Sequence, residues 1–346
     1  MGRRESGKLG SVTVAGIKNA FCGMTALALL VAATGCGINL KMAVTHLNAG
    51  DAALKRSDLE AALAEFKEAV RLDPQLAEGY KKLGRTYREL GQLEESADSL
   101  ETAVRLDPRD FQATFDLGEV YRLLDRLTKA IRAYALACRL DPKNFDAQFR
   151  LATCYHQTGD LESAASAYEA ALKLDPGNAM AWSNLGAVHD SLGAPYKAVR
   201  AYKRSLECDT NQPIVLVNLA TVYLNQERFD AARRTLEAAL RMAPKLSVAH
   251  ERMGYCYWRQ NQLDAAEQEY RQAIALSDDN ARAYAGLGVV LMTKHLETPD
   301  RMDLRADAVE AWHTSLEIDP EQPRLRELVE KYRIHNPQPR FQLTAD

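Results

Sequence analysis

Histidine and cysteine are the residues that could bind a metal or attack a substrate, and the 346-residue chain has seven and six of them. Zinc enzymes commonly place two His four residues apart on one helix, and no two His here have that spacing. His46, His189 and His250 fall instead at positions that favour packing in a helical core. We therefore expect no catalytic residue, no metal site and no cofactor, and predict that the chain is not an enzyme.

The first 35 residues differ in composition from the rest of the chain. A positive segment with Arg3 and Arg4 precedes an uncharged apolar run, residues 21–33, which is typical of an export signal. Ala33-Thr34-Gly35-Cys36 then resembles the lipobox of bacterial lipoproteins, although the commonest residue at its first position is Leu. The resemblance implies cleavage before Cys36 and acylation of Cys36, which would anchor the chain in the cell envelope.

Two alternatives remain for this leader. An ordinary signal peptidase could cleave it, or residues 21–38 could stay as an uncleaved single-pass anchor, which would leave the body facing the cytoplasm. Gly37 follows the Cys, and by resemblance to proteobacterial lipoproteins this residue implies sorting to the periplasmic face of the outer membrane. Residues 36–42 are predicted to be a short linker.

The charge balance of the chain restricts its partners. Lys and Arg number 44 against 47 Asp and Glu, which gives a net charge of −3. Proteins that bind the phosphate backbone usually have a basic excess, so nucleic acid is not expected as a partner. With 47% apolar and 26% charged residues, the body is predicted to be a packed soluble structure.

A repeat of 34 residues organises the body. Six prolines recur at that interval or twice that interval, with an eight-residue insertion before the last: Pro74, Pro108, Pro142, Pro176, Pro244 and Pro320. Eight units result, and we number the positions of each unit from its first residue. The units begin at residues 43, 77, 111, 145, 179, 213, 247 and 281. Such a period is typical of stacked helix-turn-helix units that bury their apolar faces against each other.

Columns of small and large residues recur within the repeat. Position 8 is always Gly or Ala, as in Gly50 and Gly118, and position 24 is always large, as in Phe66 and Tyr134. These columns resemble the tetratricopeptide repeat (TPR) family over residues 43–320. The resemblance implies an all-α fold, a right-handed superhelical solenoid whose inner groove is lined by the first helix of each unit. The four Cys of the body fall at apolar positions and are expected to be buried thiols, with a disulfide between Cys138 and Cys154 as the alternative.

The end of the chain departs from the repeat. Residues 321–335 have apolar side chains at helical spacing along one face and are predicted to form a helix that caps the last unit. Residues 336–346 are predicted to be a mobile tail. The insertion near His295 to Met302 is expected to lengthen the turn between the two helices of unit eight.

Positions 2, 5, 6, 9, 12 and 13 of the first helices are predicted to face the groove, and three groups of residues at these positions are candidates for binding. Asn184 and Asn218, both at position 6, resemble the asparagine ladder by which some repeat proteins bind the backbone of an extended peptide; Asn is also common at exposed positions. Lys82, Arg85 and Arg150 belong to a basic stretch that could dock an acidic segment, although acidic residues are interspersed. Tyr255, Trp258 and Arg259 are of the residue types that often dominate protein interfaces.

These observations together predict a protein-binding scaffold of the bacterial cell envelope. Its expected partners are other envelope proteins, with the membrane bound through the lipid anchor, and no small-molecule substrate is expected. Proteins of this type assist the assembly of envelope, pilus or secretion complexes, by resemblance. The alternative function is a regulatory subunit that recruits substrates for a separate glycosyltransferase or protease.

Overall fold

A computed structural model describes residues 39–332, so the predicted signal peptide, Cys36 and the tail at 336–346 lie outside the described residues. The chain divides into two compact parts, each containing several of the 34-residue repeats. The part that ends at Cys154 is called the first unit below, and the part that begins at Tyr155 is called the second unit. Residues 39–332 contain helices and turns and no strand, which confirms the predicted all-α class. Residues 39–42, predicted as linker, are already part of the first helix.

Seven helices begin in the first unit. They are α1 (39–55), α2 (Leu59–Leu72), α3 (Ala77–Glu89), α4 (Leu93–Leu106), α5 (Phe111–Leu123), α6 (Leu127–Leu140) and α7 (Phe145–Gln157). From α2 to α6 each helix packs against the next one along the chain, to which a short turn joins it.

Ten further helices begin in the second unit. They are α8 (Leu161–Leu174), α9 (Ala179–Ser191), α10 (Pro195–Cys208), α11 (Pro213–Asn225), α12 (Phe229–Met242), α13 (Ser247–Arg259), α14 (Leu263–Leu276), α15 (Ala281–Glu297), α16 (Met302–Ile318) and α17 (Pro323–Tyr332). From α2 to α14, helices of 14 and 13 residues alternate along the chain.

Short polar side chains start many of these helices and close the turns between units. Asn178 Oδ1 accepts a hydrogen bond from the backbone N–H of Ala181 at 3.0 Å and thereby caps the first turn of α9. The Asp that precedes the periodic proline accepts from the backbone two residues further on, as Asp73 does from Gln75 at 3.0 Å. These bonds satisfy donors that a helix end leaves without partners.

The turn within each of seven pairs contains one residue with positive φ, always at position 15. Three of these residues are glycines, Gly91, Gly159 and Gly193, with φ between 66° and 78°. The other four adopt the same conformation with a side chain: Ser57, Asp125, Glu227 and Asn261. The left-handed residue ends the first helix and lets the second fold back against it.

The small residues at position 8 of the repeat are in direct contact with the large residues at position 24. A Cβ atom placed on Gly118 would lie 2.7 Å from ring carbon Cε1 of Tyr134, which is closer than such atoms approach. Gly84 has the same relation to Leu100 at 2.6 Å, and Gly186 to Tyr202 at 2.7 Å. The large side chains are fully buried or nearly so. Each contact therefore sets how closely the two helices of a pair approach.

The insertion in the last pair lengthens both helices and adds only one residue to the turn between them. Both α15 and α16 have 17 residues, whereas α13 and α14 have 13 and 14. Leu291, Met292 and His295 are buried on α15, so the apolar face continues past the usual end of the helix. The expectation of a longer turn holds for one inserted residue only, because the others gain helical hydrogen bonds and burial by extending both helices.

The last helix, α17, packs against α16. Leu325 and Val329 are buried in one cluster with Trp312, and the ring of Tyr332 lies 6.1 Å from that of Trp312. Helix α17 thus covers apolar surface of the last pair, in the place where a capping helix was predicted. Within residues 39–332, none of the helices combines the length and apolarity that crossing a bilayer requires.

The contact of Gly118 with Tyr134 makes a testable prediction. Gly118→Ala should lower the free energy of unfolding by about 1–3 kcal/mol, because the added methyl group must displace the ring. Urea unfolding followed by far-UV circular dichroism measures the change.

The matched control is Gly177→Ala, in an exposed turn where the nearest atom to the new Cβ would be Asp175 Oδ1 at 3.4 Å. This variant should unfold at the same urea concentration as the wild type or a slightly higher one. Equal midpoints for the two variants would show that the ring contact does not limit helix approach.

Candidate protein-binding face

In the first unit, charged residues on neighbouring first helices pair with each other in a regular pattern. Each pair joins position 9 of one first helix to position 6 of the next, and all three basic candidates of this unit take part. The pairs are Lys82 with Asp51 (Nζ to Oδ1, 2.8 Å), Arg85 with Asp116, and Arg150 with Glu119 (Nε to Oε1, 3.1 Å).

The basic stretch on α3 is therefore neutralised within the protein. Lys81 Nζ lies 2.7 Å from Asp110 Oδ2, and Arg88 Nη1 lies 3.4 Å from Asp116 Oδ1. Asp116 is buried, and a buried carboxylate is stable only when it is paired. An acidic partner would have to displace these internal carboxylates, which makes Lys82, Arg85 and Arg150 weak docking residues.

Glu119 is the centre of another of these networks. It accepts a hydrogen bond from the Tyr134 hydroxyl and lies 2.9 Å from Arg122 Nη2. Burial acts to raise the pKa of Glu119, but the Tyr134 and Arg122 hydrogen bonds and the charge of Arg150 outweigh it and lower the pKa. Glu119 is thus ionised and holds two cations in the structure.

The second unit differs at the same positions. Asn184 on α9 and Asn218 on α11 are half-buried, and the two helices are in contact. Ala187, at position 9 of α9, stands where the first unit has a charged partner for position 6. Within residues 39–332, neither Asn side chain makes a hydrogen bond. Each amide therefore has a donor and an acceptor available to a ligand.

Two apolar side chains on this face were missed by the sequence-based prediction. Met180 and Ile214 are 63% and 52% exposed, and each lies four residues before Asn184 or Asn218 on the same helix. Residues four apart share a helix face, so each amide has an exposed apolar neighbour. Their place at position 2, which was assigned to the groove, could have identified them from sequence.

The aromatic candidates on α13 interact mainly with each other and with neighbouring residues. The rings of Tyr255 and Trp258 are 5.8 Å apart, and Arg259 Nη1 donates to the Tyr255 hydroxyl at 2.9 Å. Arg259 also donates to Glu227 at 2.8 Å, and its guanidinium lies 5.1 Å from the ring centroid of Phe229. The Tyr255 hydroxyl and the Arg259 guanidinium already have hydrogen-bond partners within the protein, so this cluster has fewer groups available to a partner protein than the two Asn amides do.

A buried carboxyl lies beside this cluster on α13. Glu251, at position 5, is 5% exposed, and its Oε1 is 3.4 Å from Arg252 Nη1. Burial raises the pKa of Glu251, and Arg252 offsets this only in part. The Nε atom of Arg252 is buried and has no hydrogen-bond partner among the described residues.

Two His and two Cys side chains of the body lie in contacts that explain them structurally. His46 and His250 lie at position 4 and pair with Glu65 and Glu269 at 2.7 and 2.6 Å. Cys208 is exposed, so the expectation that all four Cys of the body are buried was wrong at that residue. Cys138 and Cys154 are thiols, and burial raises the pKa of each to about 11. Such thiols are protonated at neutral pH and are poor nucleophiles.

Comparison with known structures shows the same fold elsewhere. A tetratricopeptide repeat protein from Parabacteroides merdae aligns with a TM-score of 0.57 at 17% identity, over 74% of this chain and 98% of that one. The Cut9–Hcn1 hetero-tetramer of the APC/C aligns with a TM-score of 0.53 at 21% identity, over 84% of this chain and 55% of that one. The MamA protein is 27% identical, with a TM-score of 0.47, over 49% of this chain and 93% of that one.

Family models match most of the repeat region. Residues 50–87 and 84–125 match a model described as TPR repeat, and residues 110–287, more than half of the 346-residue chain, match the TPR-containing C-terminal domain of cilia and flagella-associated protein 70. No curated protein matches the sequence. With its 34-residue period, paired helices and small-large contacts, the chain belongs to the tetratricopeptide repeat family.

Proposed function

We propose that this chain is a non-catalytic scaffold that binds an extended peptide segment of a partner protein across α9 and α11. The observation that carries the proposal is the pair of amides, Asn184 and Asn218, which have no hydrogen-bond partner within residues 39–332. On α3 and α7, by contrast, the basic candidates Lys82, Arg85 and Arg150 are all in ion pairs. The face of the second unit is thus the part with polar groups available to a ligand.

An extended peptide suits these groups in both chemistry and spacing. An Asn amide donates to a backbone carbonyl and accepts from a backbone N–H, so it binds a main chain independently of its sequence. Packed helices lie about 8–10 Å apart, and an extended chain rises about 3.3 Å per residue. About three peptide residues would therefore separate the contacts with Asn184 and Asn218, and the exposed Met180 and Ile214 would cover apolar side chains between them.

Replacing both amides tests this proposal. Asn184→Ala with Asn218→Ala should weaken peptide binding by about 10- to 100-fold, because each lost hydrogen bond costs about 0.5–1.5 kcal/mol. Peptides are selected on the wild-type chain by phage display, and their affinity is measured by fluorescence polarisation.

Gln268→Ala is the matched control, since Gln268 has an exposed amide on α14, which is the second helix of its pair and not part of the proposed site. Its affinity should equal that of the wild type. Failure to select any peptide, or equal binding by the double variant, would refute the proposed site, provided that circular dichroism shows both variants folded.

Salt dependence gives a second test. Binding through amides and apolar side chains should change less than about twofold when NaCl is raised from about 0.05 to about 0.5 M, because screening acts on charges. A much larger loss of affinity would indicate that an acidic segment binds through the cations of the first unit instead.

We also propose that Cys36 anchors the scaffold in the cell envelope. The support is the leader itself, in which a positive segment, an apolar run and Ala33-Thr34-Gly35-Cys36 follow each other in the order of a lipoprotein signal. Two or more acyl chains would hold the protein stably at a membrane, whereas one binds only marginally. The partner would then be another envelope protein at the membrane surface.

Mass spectrometry of the mature N-terminus tests the anchor. The wild type recovered from membranes should begin with an acylated Cys36, and Cys36→Ser should remain unprocessed. Cys208→Ser, at an exposed Cys of α10, is the control and should be processed normally. An intact Met1 in the wild type would contradict cleavage and favour the uncleaved anchor.

A further inference from the structure

A cavity of about 340 Å³ lies between α8, α9 and α10, on a different face of α9 from Asn184. Its floor is formed by Leu172, Leu185 and Ala201, which are buried, and the indole of Trp182 lines its side. Pockets that bind small molecules begin at about this size and are mostly apolar, with a few polar groups. The cavity can therefore hold one small molecule but not a folded segment.

The cavity lies where α9 departs from the commonest residue of the repeat. Position 11 is the smaller His189 in α9, whereas five of the eight first helices have Tyr there, and α1 and α15 have Ala53 and Leu291: the Tyr residues are Tyr87, Tyr121, Tyr155, Tyr223 and Tyr257. Tyr121 is long enough for its hydroxyl to donate to Glu101 on the preceding helix. The residue equivalent to Glu101 is Glu169, at the edge of the cavity, and His189 makes no hydrogen bond to it. The space that a Tyr ring would fill stays open.

Positive charge surrounds this opening. Lys173, Lys197 and Arg200 are exposed at the edge of the cavity, and none of them forms an ion pair within residues 39–332. Glu169 is the acidic residue among those that line it. On α3, by contrast, Lys81, Lys82, Arg85 and Arg88 are all paired with internal carboxylates.

One of the residues that line this cavity has a buried polar atom without a partner. His189 is 6% exposed, and its Nδ1 atom makes no hydrogen bond within the described part of the chain. Buried polar atoms almost always have partners, so one without a partner beside a cavity indicates a site for a ligand or water. Burial, and the nearby charge of Lys197, lower the pKa of His189. The ring is then neutral at pH 7 and can donate one N–H.

We propose that this cavity binds a small organic anion with an apolar body, such as an aromatic carboxylate. The anionic group would meet Lys197 and Arg200 and accept a hydrogen bond from His189, while the apolar body covers Leu172 and Leu185. A water molecule could satisfy His189, but only a ligand with both an anionic group and an apolar body would also pair with the cations and cover the apolar floor. This site is independent of the peptide-binding function proposed for the other face of α9.

Isothermal titration calorimetry on the full-length chain tests the proposal with 2-naphthoate as the probe and 2-naphthalenemethanol as its neutral counterpart. The carboxylate should bind at one site and at least about tenfold more tightly than the alcohol, because charge-assisted hydrogen bonds are the stronger ones. Absence of naphthoate binding, or equal affinity for the two compounds, would overturn the proposal.

Three variants locate the site. His189→Tyr introduces the residue found at this position in other helices, so it should fill the cavity, leave the chain folded and abolish naphthoate binding. Arg200→Gln should weaken binding about tenfold. Lys203→Gln removes an exposed charge from the same helix outside the cavity and should leave binding unchanged. Unaltered binding by His189→Tyr would show that naphthoate binds elsewhere and refute the site.

Discussion

The contact between a small residue at position 8 and a large one at position 24 is the constraint on which the rest of this structure depends. At Gly118 the helix backbone lies so close to the ring of Tyr134 that no side chain fits between them. That approach fixes both the distance and the rotation of the two helices. Every other position of the repeat is thereby assigned to the core, to a neighbouring unit or to the surface.

The same geometry brings position 9 of one first helix beside position 6 of the next. In the first unit this contact joins opposite charges, such as Asp51 and Lys82. In the second unit it places Ala187 in that role and leaves the amide of Asn218 free of internal hydrogen bonds. In the first unit the charged groups of this face thus pair with each other, whereas in the second unit the Asn amides are available to a ligand.

Both proposed binding sites lie where this chain departs from the repeat. At the cavity, His189 stands in place of Tyr and has a buried nitrogen without a partner among the described residues, while the surrounding helices keep their usual lengths. The insertion in α15 and α16, by contrast, mainly adds helix and burial. Substitutions that make a side chain smaller or leave it without a partner create binding capacity, whereas added residues that can continue a helix are absorbed.

The sequence by itself determined the helical class, the pairing of helices and the small-large contacts, because these follow from local periodicity and recur in every unit. It also indicated the positions that line a groove. Only the tertiary structure decided that Arg85 and Arg150 are paired, that Asn184 and Met180 form an open face, and that His189 lacks a partner. Those outcomes depend on side chains of adjacent helices about one repeat away, and their distances are set by packing rather than by sequence spacing.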